Sequence, residues 1–208
     1  MTARALRRLC LIAPTIVTIS VPGASPRGPA VYEIAPSSRF DVETGKAGLL
    51  GTFGHSHVIR AGVVDGSITW DPERVAASRI ELAVPVDGLR VVRRGADRDD
   101  WPDVENAMRT EVLHPSRFPE VTFRSRLVTR IRDGVHVVGD LTMEGRSRPV
   151  AVDVTLETSG DTLRASGAFS VKQTDFGIRP YRAAGGTIRV ADHVRFDFAA
   201  IGVRRAGG

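Results

Sequence analysis

Apolar and polar residues alternate with a period of two through most of the chain, and this restricts the fold more than any other feature. Successive side chains of a strand point to opposite faces, so each run predicts a strand with one buried face. Val121, Phe123, Ser125 and Leu127 share one face, which we expect to point inward. The runs occupy residues 79–86, 121–127, 150–157, 163–171 and 194–199. Turn signals at Asp65-Gly66, Asp133-Gly134, Glu144-Gly145 and Ser159-Gly160 separate such runs. The pattern predicts an all-β, antiparallel sheet, closed as a barrel or stacked as a sandwich.

One segment departs from this pattern and predicts a helix over residues 99–113. Val104, Ala107 and Met108 recur at helical spacing, and acidic residues crowd the start, where they suit the helix dipole. Pro115 prevents the helix from continuing. We therefore expect one helix inside a long connection between strands.

Residues 1–30 have the layout of a secretory signal. Arginines at the start precede an apolar run from Leu9 to Val21 and then a patch of small residues. The run is shorter than the ~20 residues that comfortably span a bilayer. We expect cleavage near Ala24 or near Ala30, and so export to the periplasm, cell envelope or medium. An uncleaved anchor is the alternative, since signals and anchors share a composition.

The charge of the chain is concentrated in that leader. The whole chain has 29 basic and 24 acidic residues, and residues 1–30 contain four arginines and no acid, so residues 31–208 hold 25 basic and 24 acidic residues. This balance does not predict a nucleic-acid partner. The single cysteine, Cys10, lies in the leader, which excludes disulfides and thiolate chemistry from the expected mature chain.

Two arginine pairs, Arg93-Arg94 and Arg204-Arg205, are the densest basic sites outside the leader. We interpret both as solvated loops. A peripheral contact with an anionic membrane surface is the second interpretation.

Four segments in order resemble the YceI family of secreted lipid-binding proteins. They are Tyr32-Glu33-Ile34, Phe118 to Ser125, Val138 to Gly145, and Thr174-Asp175-Phe176-Gly177-Ile178. The resemblance covers about Val31 to Val203, and it implies one domain over residues 31–203 with a short tail at 204–208. It further implies a lipocalin-like antiparallel barrel of about eight strands, with the helix packed over one end. Its implied ligand is an apolar lipid, a polyisoprenoid or a quinone-like molecule, bound without catalysis and without a cofactor.

The interior of such a barrel could be hollow or filled. Small residues beside aromatic ones would leave an elongated void, whereas close packing would leave none. Since the resemblance favours a ligand cavity, we predict a set of pocket residues. They are Phe53, His55, His57, Phe123, Ser125, Leu141, Phe169 and Phe176.

His55 and His57 support an alternative function. In a strand they would point the same way, which suits a metal ion or hydrogen bonds to a ligand headgroup. Zinc needs at least one more protein ligand, and His114, His136 or His193 could supply it, although spacing does not show which. A metal-dependent enzyme or metal-binding protein is therefore the rival class. Nucleophilic catalysis has little support, because no G-x-S-x-G elbow surrounds Ser56.

The T-D-F-G-I segment predicts a structural turn. Asp175 can accept hydrogen bonds from its own turn, Phe176 can plug a barrel end, and Gly177 permits a left-handed backbone. We expect Asp192 to fix the start of the final strand.

Overall fold

The computed structural model describes residues 28–47, 57–92, 101–183 and 188–206. These ranges contain twelve strands, one short α-helix and several helical turns. The strands are β1 (Ala30–Ile34), β2 (Arg39–Ala47), β3 (Val58–Ala61), β4 (Asp65–Trp70), β5 (Arg79–Pro85), β6 (Leu89–Val91), β7 (Glu120–Ile131), β8 (Gly134–Met143), β9 (Arg146–Ser159), β10 (Thr162–Lys172), β11 (Arg182–Ala183) and β12 (Ile188–Arg204). The leader and its expected cleavage sites up to residue 27 lie outside the described residues.

Eight of the strands close into an antiparallel barrel. Their order is β1-β4-β5-β7-β8-β9-β10-β12, and β12 pairs back to β1. The closing ladder aligns Tyr32 with Arg204 and Ile34 with Gly202. A Cβ atom on Gly202 would lie 2.8 Å from the Cβ of Tyr32, so the ladder needs glycine at this position. The predicted barrel of about eight strands is confirmed.

The sheet continues beyond the barrel at β12 into three further strands, β2, β3 and β6, which we call the second arm. β12 has 17 residues, so it pairs with β1 near its carboxyl end and with β2 along its first part. The arm continues from β2 to β3 and then to β6. β6 ends this path, and among the described residues no further strand pairs with its outer edge.

The predicted helix covers that edge. α1 (Trp101–Ala107) continues into a π-helical turn over Met108–Val112, and the chain leaves the helix at Leu113. Within the described ranges, no helix is long and apolar enough to cross a bilayer.

Two side chains of the helical segment satisfy the main chain of β6. Glu105 Oε1 accepts the N–H of Val91 at 2.9 Å. Arg109 Nη2 donates to the carbonyl of Leu89 at 3.1 Å, and lies 3.4 Å from Glu105 Oε2. We call this side-chain junction between β6 and α1 the β6 seam. The seam joins the helical segment to the outer edge of β6, with which no described strand pairs.

A β-bulge changes which residues of β7 point inward. The register shifts between Ser125 and Leu127. The extra residue reverses the alternation, so that Leu127 is 49% exposed and Val128 is buried. The expectation that Leu127 points inward with Phe123 is therefore wrong.

Of the arginine pair at the carboxyl end, Arg205 is exposed and follows the last strand as expected, but Arg204 does not lie in a solvated loop. Arg204 belongs to β12, although we expected the tail to begin there, and its guanidinium lies 5.7 Å from the centroid of the Tyr32 ring. Arg205 Nε donates to Glu33 Oε1 at 2.8 Å. The Arg93-Arg94 pair lies outside the described residues.

Candidate ligand cavity

The barrel encloses an elongated cavity of about 240 Å³. Its wall draws on the barrel strands, the second arm and the helical segment, and polar atoms contribute almost none of the wall surface. Val135 and Met143 both line it, and these residues are about 26 Å apart along β8. The interior is therefore hollow and apolar along much of the barrel.

Five phenylalanines form much of this wall. Phe169 and Phe196 stack with ring centroids 4.9 Å apart, and Phe40 and Phe198 stack at 6.0 Å. Phe123 is the fifth, on the opposite strands of the barrel. Phe123 and Phe169 each pack against both large core clusters, so they lie between the two ends of the barrel.

Two glycines make room for these rings. A Cβ atom on Gly139 would lie 2.5 Å from the Cζ of Phe123 and 2.5 Å from the carbonyl oxygen of Arg124. A Cβ atom on Gly167 would lie 3.0 Å from the Cζ of Phe198. The tips of these two rings therefore occupy space that a side chain at either glycine would fill.

The predicted pocket residues separate into three groups. Phe123, Leu141 and Phe169 line the cavity. Phe176 is buried beside Leu141 in a core cluster but is not part of the wall, and Ser125 lies outside it, where its Oγ accepts the N–H of Ile80 at 2.8 Å.

Of the predicted pocket residues Phe53, His55 and His57, the structure describes only His57. His57 is half-buried, and its main chain pairs with Thr44 at the upper end of β2. Phe53 and His55 lie outside the described residues.

Gln173 is a polar wall residue that the sequence analysis did not identify. It begins the 3₁₀ turn after β10, is 7% exposed and lines the cavity. Its Nε2 donates to the carbonyl of Ala191 at 2.9 Å. A lone glutamine beside the T-D-F-G-I segment carries no periodic signal, so only the geometry of the turn identifies it.

Comparison with known proteins decides the relationship. The family model described as the YceI-like domain matches residues 35–201. The chain belongs to the YceI-like family. Two similar curated proteins are a UPF0312 protein of Yersinia enterocolitica, 31% identical over 97 residues, and protein YceI of Escherichia coli, 29% identical over 97 residues. Each match covers 47% of this chain and 47% of the relative, so the chain spans about half the length of the curated relatives it matches.

Two solved structures share the fold. Burkholderia cenocepacia BcnA superimposes with a TM-score of 0.63 at 18% identity, covering 79% of this chain and 95% of BcnA. A Campylobacter jejuni YceI protein superimposes with a TM-score of 0.56 at 12% identity, covering 72% of this chain and 85% of that protein. At these identities the likeness concerns the architecture alone.

In this YceI-like barrel the T-D-F-G-I turn is held by Asp192 and not by Asp175. The carboxylate of Asp192 accepts the N–H of Thr174 at 2.9 Å and its hydroxyl at 2.7 Å. The main-chain bond is the larger cause of a lowered pKa of Asp192. Because Phe176 turns inward, Asp175 stays exposed. Gly177 has a φ of 76°, the left-handed conformation predicted for it.

An ion cluster on the outer face joins β12, β2 and β3. Asp41 is buried and accepts two hydrogen bonds from Arg60, at 2.7 and 2.8 Å. Arg39 bridges Asp41 at 3.0 Å and Asp197 at 2.7 Å. The Arg60 guanidinium, followed by Arg39, holds the pKa of Asp41 below its usual range against the opposing effect of burial.

The described residues hold no group of three or more histidine, cysteine or acidic side chains placed to bind one metal ion. Two of the histidines considered as a third ligand pair with carboxylates: His114 with Glu144 at 2.8 Å and His136 with Asp153 at 2.6 Å. Since His55 lies outside the described residues, the metal alternative stays a prediction.

Proposed function

We propose that this YceI-like protein is exported and holds one long apolar lipid in its barrel, an isoprenoid such as a polyisoprenoid or quinone, without changing it chemically. The observation that carries the proposal is the elongated apolar cavity, whose wall extends from Trp70 to Met143. A hydrocarbon gains ~0.8 kcal/mol for each methylene that leaves water, so a long chain binds tightly without polar recognition. Export rests on the leader sequence, with its arginines and apolar run.

Native mass spectrometry of the purified chain, before and after delipidation, tests the proposal. We expect a bound apolar molecule before delipidation, and uptake of an isoprenoid alcohol afterwards. Ala165 lines the cavity, so the A165W variant should fill it and abolish uptake. The matched control is A151W, because Ala151 lies on β9 with its side chain exposed. Equal uptake by both variants would contradict an interior site.

Elemental analysis separates this proposal from the metal alternative. We expect no stoichiometric metal in the purified protein. Stoichiometric zinc or copper that disappears in the H55A/H57A double variant would favour the metal-binding class instead.

A further inference from the structure

Gln173 is a polar side chain buried in an apolar wall. One amide hydrogen is used by the carbonyl of Ala191. No described residue makes a hydrogen bond to Oε1, and the second amide hydrogen likewise has no partner among them. A ligand group that reaches this wall can therefore form a hydrogen bond with a polar side chain whose neighbours in the wall are mostly apolar.

The other neutral polar side chains near the wall either bond a neighbouring main-chain group or point away from the interior. Thr44 Oγ1 lies 3.2 Å from both the N–H and the carbonyl of His57. Ser78 Oγ accepts the N–H of Asp71 at 3.1 Å, beside Trp70 at the other end of the cavity. Thr122 alternates with the inward Phe123, so its hydroxyl points away from the interior.

The described wall contains no lysine, arginine or histidine. Its two acidic residues, Asp41 and Asp197, alternate with inward phenylalanine and valine residues and form ion pairs with Arg39 and Arg60. An anionic group placed against this described part of the wall would lose its hydration and gain no cation from it in return.

We infer that the bound lipid carries an uncharged, oxygen-bearing end group, such as a hydroxyl or a quinone carbonyl, and that Gln173 holds this group by hydrogen bonding. The inference rests on the proposed function and names the ligand's chemistry at the same site. It sets the lipid's direction: the polar end lies at the turn after β10, and the hydrocarbon end lies toward Trp70. Gln173 thus determines specificity and orientation in a site whose affinity comes from apolar burial.

Three ligands with the same tail test the charge requirement. We would measure the affinity of the purified protein, as it is obtained after expression, for geranylgeraniol, for geranylgeranyl phosphate and for the hydrocarbon that lacks the hydroxyl. The alcohol should bind about tenfold more tightly than either of the others. Equal affinity for alcohol and phosphate would overturn the charge requirement, and equal affinity for alcohol and hydrocarbon would overturn the hydrogen bond. Failure of all three to bind would instead refute the proposed function itself.

Two variants then test the residue. Q173M keeps the side-chain length and should weaken alcohol binding roughly tenfold, the loss of about 1.4 kcal/mol expected for one neutral hydrogen bond, while hydrocarbon binding stays unchanged. S166A removes an exposed hydroxyl from the outer face of β10, away from the cavity wall, and should leave the alcohol-to-hydrocarbon ratio as in the wild type.

The ratio of alcohol affinity to hydrocarbon affinity distinguishes loss of the hydrogen bond to the end group from damage to the fold. A loosened turn would weaken the binding of both ligands together. A parallel loss of both ligands in Q173M, or a change of the ratio in S166A alone, would overturn the assignment to Gln173. If Q173M does not fold, the wild-type comparison of the three ligands decides whether the end group is recognised.

Discussion

The two ends of the barrel complete their walls in different ways. At one end, β1 joins β4 on one side and β12 on the other through main-chain ladders. At the other end, the outer edge of β6 is bonded by the side chains of Glu105 and Arg109. A ladder uses groups that every residue except proline carries, whereas the β6 seam depends on two particular side chains. A single side-chain substitution can therefore remove a hydrogen bond of the seam, whereas the main-chain hydrogen bonds of the ladder survive most substitutions.

The largest expected effect lies at the ladder end, in its packing. Leu163 is fully buried there, outside the cavity wall. We expect L163A to lower the free energy of unfolding by about 4 kcal/mol, because it leaves a new void in a close-packed cluster. M108A at the seam should cost about 2 kcal/mol, since Met108 borders space that is already empty. Urea unfolding measures the free energy of unfolding of both variants. A greater loss for M108A than for L163A would show that packing matters more at the seam than at the ladder end.

A second prediction concerns the seam's hydrogen bonds. E105A should lower the free energy of unfolding by about 2 kcal/mol, because the N–H of Val91 then loses its partner. Glu111 is an exposed glutamate of the same helical segment, so E111A should change stability by less than about 0.5 kcal/mol.

Amide hydrogen exchange gives an independent readout for the same pair. In E105A the Val91 amide should exchange faster, while amides of the β1–β12 ladder keep their protection. Equal stabilities for E105A and E111A would show that Glu105 does not hold the seam.

The third prediction concerns acid sensitivity of the arm that carries the seam. The pKa of Asp41 is lower in the folded state than in the unfolded state, where it is near 3.9. The ion cluster therefore stabilises fully above that value, and its contribution is lost as the pH falls through the folded-state pKa. D41N should cost about 1.5 kcal/mol at pH 7, because two charge-assisted bonds to Arg60 are weakened.

D41N should also make the free energy of unfolding depend less steeply on pH in the acid range. Unfolding midpoints measured between pH 2 and pH 7 would show it. A D41N profile as steep as that of the wild type below pH 4 would mean that other carboxyl groups control acid unfolding.

The smallest expected effect tests the bulge in β7. L127T should change the free energy of unfolding by no more than about 0.5 kcal/mol, because Leu127 is largely exposed. V128T buries a hydroxyl and should cost more, about 1 to 3 kcal/mol. If chemical denaturation ranked the two variants the other way, β7 would follow the unbroken alternation.

Much of the architecture follows from local patterns in the sequence. Alternation predicts the strands, helical spacing with Pro115 predicts α1, and the inward phase of β7 and β10 predicts Phe123 and Phe169 in the wall. Alternation predicts the wrong inward-facing residues where one inserted residue reverses the inward and outward order of side chains, as it does after Ser125. Alternation carries no information about a bulge until both strands are in place.

The remaining features need long-range geometry. Glu105 bonds a main-chain group 14 positions away, and Asp41 bonds an arginine 19 positions away, across the connection between β2 and β3. The acid that holds the T-D-F-G-I turn is Asp192, on the neighbouring strand, and not the aspartate inside the turn. No sequence period relates such partners, because the register of paired strands brings them together.

The glycines at 139 and 167 have a consequence for what the barrel can admit. Each leaves a short stretch of main chain without a side chain, and the tip of an aromatic ring occupies the space beside it. A single methyl group at either position would have to displace both the ring and a nearby carbonyl oxygen. Two residues without side chains thereby help to set the width of the cavity, and hence the thickness of the molecule that it can hold.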